Sequence, residues 1–221
     1  MSAPMRIDVW SDIVCPWCYI GKRRLEAAIA LARQEHPDLE LELVYHAFQL
    51  DPRAPVGEDQ LVQEVYEKKF GGPERAGEII AHVTNEAAGE GLDFRLDIAK
   101  RSNTILGHRV LAFALAKGVQ GEMKERVLKA YFTEGAAIGQ LETLLDLAAD
   151  VGLDPDDLRS WLDEGGGEHH VAEDLRLAAE NDITAVPTFV FNQAYAVPGA
   201  LDATALARVL TRLHTADSSA P

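Results

Sequence analysis

The chain of 221 residues has little cysteine, little positive charge and no long apolar run. It contains two cysteines, and 36 acidic residues against 21 lysines and arginines give a formal net charge of -15. An acidic surface repels phosphate backbones and anionic lipid headgroups, so we expect neither a nucleic acid nor a membrane as a partner. No stretch approaches the ~18 consecutive apolar residues that a membrane-spanning helix requires.

The N-terminus also lacks the basic segment and apolar run of a secretory signal. Together these absences predict a cytoplasmic protein. Cysteines in that compartment are normally reduced, so a disulfide there would be transient and catalytic rather than structural. What the chain has in quantity is apolar side chains, 47% of the total, which is enough to bury one sizeable core.

The predicted elements begin with a strand, a helix and a second strand. Residues 6–10 read "RIDVW", a short buried strand, and 19–34 are rich in alanine, leucine and arginine, which favour a helix. Pro37 marks the end of that helix. In 39–48 every second residue is apolar, which predicts a strand with one face buried. The order is that of a βαβ unit.

A long helical segment separates this unit from a second group of strands. Between about 57 and 180 the pattern is helical, with joints rich in glycine and proline. Strand-like runs return at 188–191 and 195–197, on either side of Asn192 and Gln193, which are typical of a hairpin turn. If the strands at both ends of the chain form one sheet, the helical segment is an insertion.

Both cysteines lie in the segment "VCPWCY", with two residues between them. This spacing is compatible with a redox couple, with half of a metal site, or with coincidence. A structural zinc needs four ligands and the chain has no second cysteine pair, so no metal site is predicted. The strand before the segment and the helix after it favour the redox interpretation.

The local setting of Cys15 supports that interpretation. It lies where the first strand ends and the helix begins, and there the free N–H groups and the helix dipole stabilise a thiolate and lower the thiol pKa. Pro16 suits the first helical turn because it has no N–H to leave unpaired. Cys18 follows about one turn later, in position to attack a mixed disulfide. Trp17 either offers substrate an apolar face or simply packs on the helix.

Val186 and Pro187 form a second candidate segment, at the start of the returning strands. A proline in this position is commonly an ordinary trans residue at a strand edge. Together with an upstream Cys-x-x-Cys in a βαβ unit, it predicts a cis proline that packs against the cysteines. The backbone of Val186 would then be free to pair with an extended substrate chain.

These segments resemble the DsbA-like branch of the thioredoxin superfamily, most closely its FrnE-like subfamily. "SDIVCPWCYIGKRRLE" resembles the active-site segment of that subfamily, and "VPTFVFNQAYAVPGA" resembles its cis-proline strand and hairpin. "HAFQLDP" and "NTILGHRVLAF" resemble its internal segments, so the resemblance extends from about residue 5 to 213. It implies an α/β, thioredoxin-like fold with an inserted all-helical domain.

The resemblance also implies a division of the chain. The thioredoxin-like domain is expected to comprise 1–56, with the cysteines, and 181–214, with the cis proline. The helical insertion domain is expected to span 57–180. Residues 215–221 are predicted to be a disordered tail.

By the same resemblance, Cys15 is the nucleophile, Cys18 the resolving cysteine and Pro187 the cis proline. Asp12 matches the Ser-Asp pair of the subfamily; it could relay a proton to or from Cys18, or cap the following helix. The dipeptide between the cysteines is Pro-Trp rather than the Pro-His of the periplasmic oxidant. We therefore expect a less acidic Cys15 and a weaker oxidant.

Three functions are compatible with these residues. The first is a thiol–disulfide oxidoreductase acting on a disulfide-containing protein or a low-molecular-weight thiol, with the cytosolic poise favouring reduction or isomerisation. The second is a glutathione-dependent isomerase or transferase for a small aromatic or polyketide-like molecule, as in the related 2-hydroxychromene-2-carboxylate isomerases and kappa-class glutathione transferases. The third is an inactive binding module on the same scaffold.

The cysteines discriminate between the first two functions. The isomerases and kappa-class transferases usually carry serine in the place of Cys15, so the intact pair favours redox chemistry. In the second function Asn103 and His108 would line a pocket between the domains; otherwise they are a helix cap and interface polar groups. The resemblance implies no tightly bound cofactor, leaves glutathione open as a co-substrate, and is compatible with a monomer or a homodimer.

Overall fold

The computed structural model describes residues 4–218, and within that range it contains six strands and nine helices. The strands are β1 (Met5–Ser11), β2 (Leu41–Ala47), β3 (Gln60–Leu61), β4 (Lys100–Arg101), β5 (Thr188–Phe191) and β6 (Tyr195–Pro198). The helices are α1 (Pro16–Glu35), α2 (Val62–Phe70), α3 (Pro73–Gly89), α4 (Ile105–Ala116), α5 (Gln120–Phe132), α6 (Leu141–Asp150), α7 (Pro155–Asp163), α8 (Glu168–Glu180) and α9 (Ala203–Ser218).

Strands from both ends of the chain form one four-stranded sheet in the order β2-β1-β5-β6. β1 runs parallel to β2 and antiparallel to β5, and β5 and β6 form a hairpin. Helices α1 and α9 pack against each other and against this sheet. Helices α2 to α8 lie between β2 and β5 in the sequence, which confirms the predicted α/β class with an inserted helical segment.

The hairpin follows the predicted local geometry. Asn192 and Gln193 have φ values of 48° and 56°, the left-handed conformation that asparagine tolerates better than most residues. Helix α9 continues to Ser218 and so enters the stretch predicted to be a disordered tail. The last three residues of that stretch, 219–221, lie outside the described residues.

The strand β2 is buried on both faces beyond its midpoint, so the prediction of one buried face is wrong. Tyr45 faces the core that α1 and α9 form with the sheet, as the alternation predicts. Val44, on the opposite face, is also only 5% exposed. The inserted helices α4, α5 and α8 contact β2 and cover this second face. The alternation of apolar and polar residues in β2 does not reveal that these helices pack on it.

A cluster of charged side chains ties this second face to helix α8. The imidazole of His46 lies between two carboxylates, 2.6 Å from Asp174 Oδ1 and 2.8 Å from Asp8 Oδ1. Its ring stacks on Trp10, with 4.4 Å between the centroids. His46 also lines a cavity of about 410 Å³. Burial alone would lower the pKa of His46, but the two carboxylates outweigh it and raise the pKa to about 9.

The inserted segment contains a short β-ladder besides its helices. β3 and β4 pair antiparallel, with Gln60 opposite Arg101 and Leu61 opposite Lys100. The helical pattern predicted from about residue 57 therefore begins as helix only at Val62. None of the helices within residues 4–218 has the length and apolar character needed to span a membrane.

The core of the insertion includes the start of α1. Ile13, Val14, Tyr19 and Ile20 belong to the same buried cluster as the apolar side chains of the inserted helices. The approach is close at α4, where a Cβ added to Gly107 would lie 2.5 Å from Cδ1 of Ile13. The cysteine segment is thus enclosed between the sheet and the insertion.

Candidate active site at one edge of the central sheet

Three chain segments meet at one edge of the sheet. Because β1 and β2 are parallel, their carboxyl ends lie at the same edge. The cysteine segment follows β1, and residues 48–51 follow β2. Pro187 directly precedes β5, whose first residue, Thr188, pairs with Trp10 near the end of β1. The topology therefore places the predicted cis proline beside the predicted nucleophile.

The two cysteines occupy the first turn of α1. Cys15 is the N-cap residue and Pro16 takes the first helical position. Cys18 lies one turn into the helix, with its N–H donating to the carbonyl of Cys15 at 3.0 Å. Both cysteines are free thiols, each 3% exposed. Among residues 4–218, no side chain forms a capping hydrogen bond with this helix.

The predicted cis-proline segment contacts Cys15 directly. The Val186–Pro187 peptide bond is cis, as the sequence predicts. The Cys15 thiol donates to the carbonyl oxygen of Val186, with 3.6 Å between sulfur and oxygen. Gly21 of α1 leaves room for the proline ring, because a Cβ there would lie 2.8 Å from Cγ of Pro187.

The electrostatics of the pair differ from the sequence-based expectation. The pKa of Cys15 is raised well above its ordinary value, first by its hydrogen bond with Cys18 and then by burial. Burial opposes ionisation of Cys18 too, but the Cys15 thiol, the charge of Lys124 and the Ser11 hydroxyl together lower its pKa. Cys18 is therefore the thiol of the pair that ionises more readily, and the helix N-terminus alone does not decide the order of ionisation.

Lys124 reaches this site from helix α5 and is 1% exposed. Its Nζ has no hydrogen-bond partner among the described residues. The ammonium lies 5.7 Å from the centroid of the Tyr45 ring. Burial lowers the pKa of Lys124, while Cys18 and Asp12 act to raise it. An unpaired buried cation is costly, and a thiolate on Cys18 offsets that cost.

Asp12 is fully buried and joins three segments around the cysteines. Its Oδ1 accepts from the N–H of Ile13 at 2.8 Å and lies 3.2 Å from Nε2 of His108. Its Oδ2 accepts from the N–H of Leu50 at 2.8 Å. Burial would raise the pKa of Asp12, but the bonds from His108 and Leu50 lower it. The Asp12 carboxylate is therefore ionised and holds Leu50 and His108 by hydrogen bonds. The N-cap residue of α1 is Cys15.

The other predicted pocket residues also hold the segment that follows β2. His108 Nε2 lies 3.0 Å from the carbonyl of Phe48 as well as close to Asp12. Asn103 donates to the carbonyl of Ala54 at 2.7 Å and accepts from the N–H of Ile105 at 3.0 Å. Both side chains are less than 10% exposed, so the structure shows them positioning residues 48–54 against helix α4.

Trp17 lies on the insertion side of the cysteine segment. Its ring is half-buried and lies 5.8 Å from the ring of His82 in α3, tilted by 55°. It also packs against the apolar core of the insertion. Trp17 thus packs on the inserted helices and remains partly exposed.

Comparison with known proteins gives the family. Residues 6–211 match the model of the DSBA-like thioredoxin domain. The chain belongs to the DsbA-like thioredoxin family. A probable DsbA oxidoreductase from Streptomyces coelicolor is 32% identical, with 98% of this chain and 92% of that chain covered and a TM-score of 0.88. The predicted thioredoxin-like fold is confirmed.

Two more distant structures of the DsbA-like fold resemble the chain in architecture. The cytosolic disulfide reductase DsbM from Pseudomonas aeruginosa is 20% identical, covers 97% of this chain and 100% of its own, and has a TM-score of 0.64. A 2-hydroxychromene-2-carboxylate isomerase is 17% identical over 97% of this chain and 100% of its own, with a TM-score of 0.69. At these identities the likeness concerns the fold.

A metal site at the cysteines of this DsbA-like protein would need further ligands. Within residues 4–218, the one close group of three potential ligands is formed by His36, Asp38 and His214. His36 follows the last turn of α1, so this group lies about 30 Å along the helix from its first turn. Neither cysteine is part of it.

Sequence reasoning missed two polar groups beside Cys18, Ser11 and Lys124. A signal for Lys124 exists in the helical period of α5, where it follows Gln120 by four residues and precedes Val127 by three, on the face that is buried. A lysine on an apolar face is unusual. The sequence does not show which negative charge Lys124 interacts with, because that depends on how α5 packs against the thioredoxin-like residues.

Proposed function

We propose that this protein is a cytosolic thiol–disulfide oxidoreductase in which Cys15 attacks disulfides and Cys18 resolves the mixed disulfide. The observation that carries the proposal is the contact between the Cys15 thiol and the Val186 carbonyl. It places the sulfur beside a backbone edge that precedes Pro187 and that an extended substrate can use for pairing. Family membership supports the same chemistry.

The electrostatics of the pair supply the first proton transfer. Cys18 is the more acidic thiol of the pair, so its thiolate form accepts the proton of Cys15 when a disulfide approaches. The Cys15 thiolate then attacks one substrate sulfur; the substrate S–S bond breaks, and the other sulfur leaves as a thiolate. The charge of Lys124 also favours the thiolate form of Cys18, which is the form that attacks the mixed disulfide in the second step.

The second step closes the cysteine pair. Cys18 loses its proton and attacks the Cys15 sulfur, which breaks the mixed disulfide and releases the second substrate thiolate. Two electrons have then moved from the pair to the substrate, and the pair is left as a disulfide. A thiol reductant must return two electrons for another turnover, and a glutathione-like thiol is the co-substrate class we propose.

The direct test is equilibration of the purified protein in glutathione buffers of graded potential, with the Cys15–Cys18 disulfide scored by thiol alkylation and intact mass. We expect a reversible two-electron transition between about -120 and -270 mV, the range of working thiol–disulfide exchangers. Cys15→Ser should abolish reduction of a small disulfide, whereas Cys18→Ser should accumulate a mixed disulfide. Full activity of Cys15→Ser would refute the proposed nucleophile.

A second candidate is a glutathione-dependent isomerase or transferase for small molecules. The shared architecture with 2-hydroxychromene-2-carboxylate isomerase favours it. The substrate-binding role predicted for Asn103 and His108 belongs to this candidate and stays a prediction. In the buffer experiment its signature is a stable glutathione adduct on Cys15 with no intramolecular disulfide.

A further inference from the structure

A cationic cavity of about 410 Å³ lies next to the segment that follows β2. Four cationic side chains and one carboxylate line it, in a chain whose formal net charge is -15. These side chains are Asp51, Arg53, Lys68, Lys69 and Arg101. Lys68 and Lys69 also lie at the carboxyl end of α2, where the helix dipole favours cations. The dipole of α2 does not explain the two arginines.

Arg101 is the buried member of this group. Its side chain is 9% exposed, and the one acceptor found for it within residues 4–218 is Asp51, at 3.4 Å. Asp51 itself is 41% exposed, which weakens the pair. A guanidinium carries five N–H donors, and no nitrogen of Arg101 is both enclosed and unpaired. Its remaining donors therefore keep some exposure, and Arg101 is one of the residues that line the cavity.

The cavity lies at the same edge of the sheet as the cysteines. Leu50 lines it, and the N–H of Leu50 donates to Asp12, three residues before Cys15. On the other side, helix α2 lines the cavity with Lys68 and Lys69, and its Tyr66 packs on the apolar cluster that contains Ile13 and Val14. The cavity therefore adjoins the chain segment that leads into Cys15.

We propose that this cavity binds a carboxylate of the disulfide substrate while Cys15 attacks its sulfur. The substrate class is then the disulfides of small thiols that carry carboxylates. The fork of an arginine matches a carboxylate, and the volume is that of a small-ligand site. In an acidic protein the local positive potential also steers such anions to the site. The inference rests on the proposed thiol–disulfide activity.

Three disulfide probes separate the anion site from the chemistry: oxidised glutathione, its tetramethyl ester and bis(2-hydroxyethyl) disulfide. The pre-reduced full-length protein is mixed with each, and the rate of Cys15–Cys18 disulfide formation is measured by alkylation and intact mass. Each reaction moves two electrons from the pair to the probe and releases two thiols, so no other reductant is needed. Only oxidised glutathione presents carboxylates.

The variants are Arg101→Gln and the double variant Lys68→Gln/Lys69→Gln. We expect each to slow the reaction with oxidised glutathione about tenfold, the scale of one charge-assisted hydrogen bond, and to change the other two rates less than about twofold. The double variant alters exposed residues, so it decides the question if Arg101→Gln fails to fold. Arg75→Gln, an exposed arginine on α3 outside the cavity, should change no rate.

Two results would overturn the anion site: unchanged reaction with oxidised glutathione, or an equal loss for all three probes. If the wild type reacts with none of the probes, the proposed function itself fails. The site is then judged by calorimetry with S-methylglutathione, which has carboxylates and no thiol to exchange. Binding that Arg101→Gln or the lysine double variant weakens about tenfold supports the site, and equal binding by wild type and variants refutes it.

Discussion

The charge cluster around His46 makes a quantitative prediction about stability and pH. In the folded protein His46 stays protonated to about pH 9 because Asp174 and Asp8 flank it, whereas in the unfolded chain it titrates near 6.5. A group whose pKa is raised by folding contributes its stability fully below the unfolded value. That contribution is lost as the pH rises through the folded value.

The magnitude follows from the two pKa values. Raising the pKa from 6.5 to about 9 corresponds, at about 1.4 kcal/mol per pH unit, to about 3 kcal/mol of unfolding free energy. His46 is 11% exposed, so solvent screening reduces this figure little. The free energy of unfolding should therefore fall by about 3 kcal/mol more in the wild type than in His46→Gln between about pH 6 and pH 10.

The assay is urea unfolding of the two proteins under reducing conditions across that pH range. Glutamine can still donate to one carboxylate but does not titrate, so the variant is less stable at low pH and loses the slope. Subtracting the two curves cancels the titration of the cysteines and of other shared groups. His169→Gln, an exposed histidine on α8, should keep the wild-type slope. Parallel curves for wild type and His46→Gln would refute the reasoning.

Two further predictions concern the cysteine pair and the proline beside it. Lys124→Met removes the cation that favours the Cys18 thiolate, so the ultraviolet thiolate absorbance of the reduced protein should rise at higher pH than in the wild type. Lys124→Arg keeps a cation and should restore most of the difference. An unshifted titration in Lys124→Met would contradict this role. Gly21→Ala brings a Cβ to 2.8 Å from Cγ of Pro187 and should cost about 1–3 kcal/mol of unfolding free energy, together with slower disulfide exchange. Gly77→Ala, in a helical position with open space, should stabilise the protein by up to about 1 kcal/mol, and equal effects of both alanines would argue against a tight fit at Pro187.

The sequence by itself determined the local elements and their order. β1, α1 and the β5–β6 hairpin form where the apolar period, Pro16 and the Asn192-Gln193 turn predict them. These signals work over a few residues, because helix and strand periods and turn conformations depend on neighbours along the chain. The sequence also marked Cys15 and Pro187 as parts of one site, first through the combination of a Cys-x-x-Cys in a βαβ unit with a proline before the returning strands, and then through the resemblance to a family.

Tertiary structure decided the charge state and the surroundings of that site. The order of ionisation in the cysteine pair depends on Lys124 of α5, and Asp12 is ionised because His108 of α4 and Leu50 hydrogen-bond to it. Both effects arise where the inserted helices pack against the sheet. Electrostatic energy in a buried site depends on distance and burial, and neither can be obtained from sequence spacing when the partners lie in different elements.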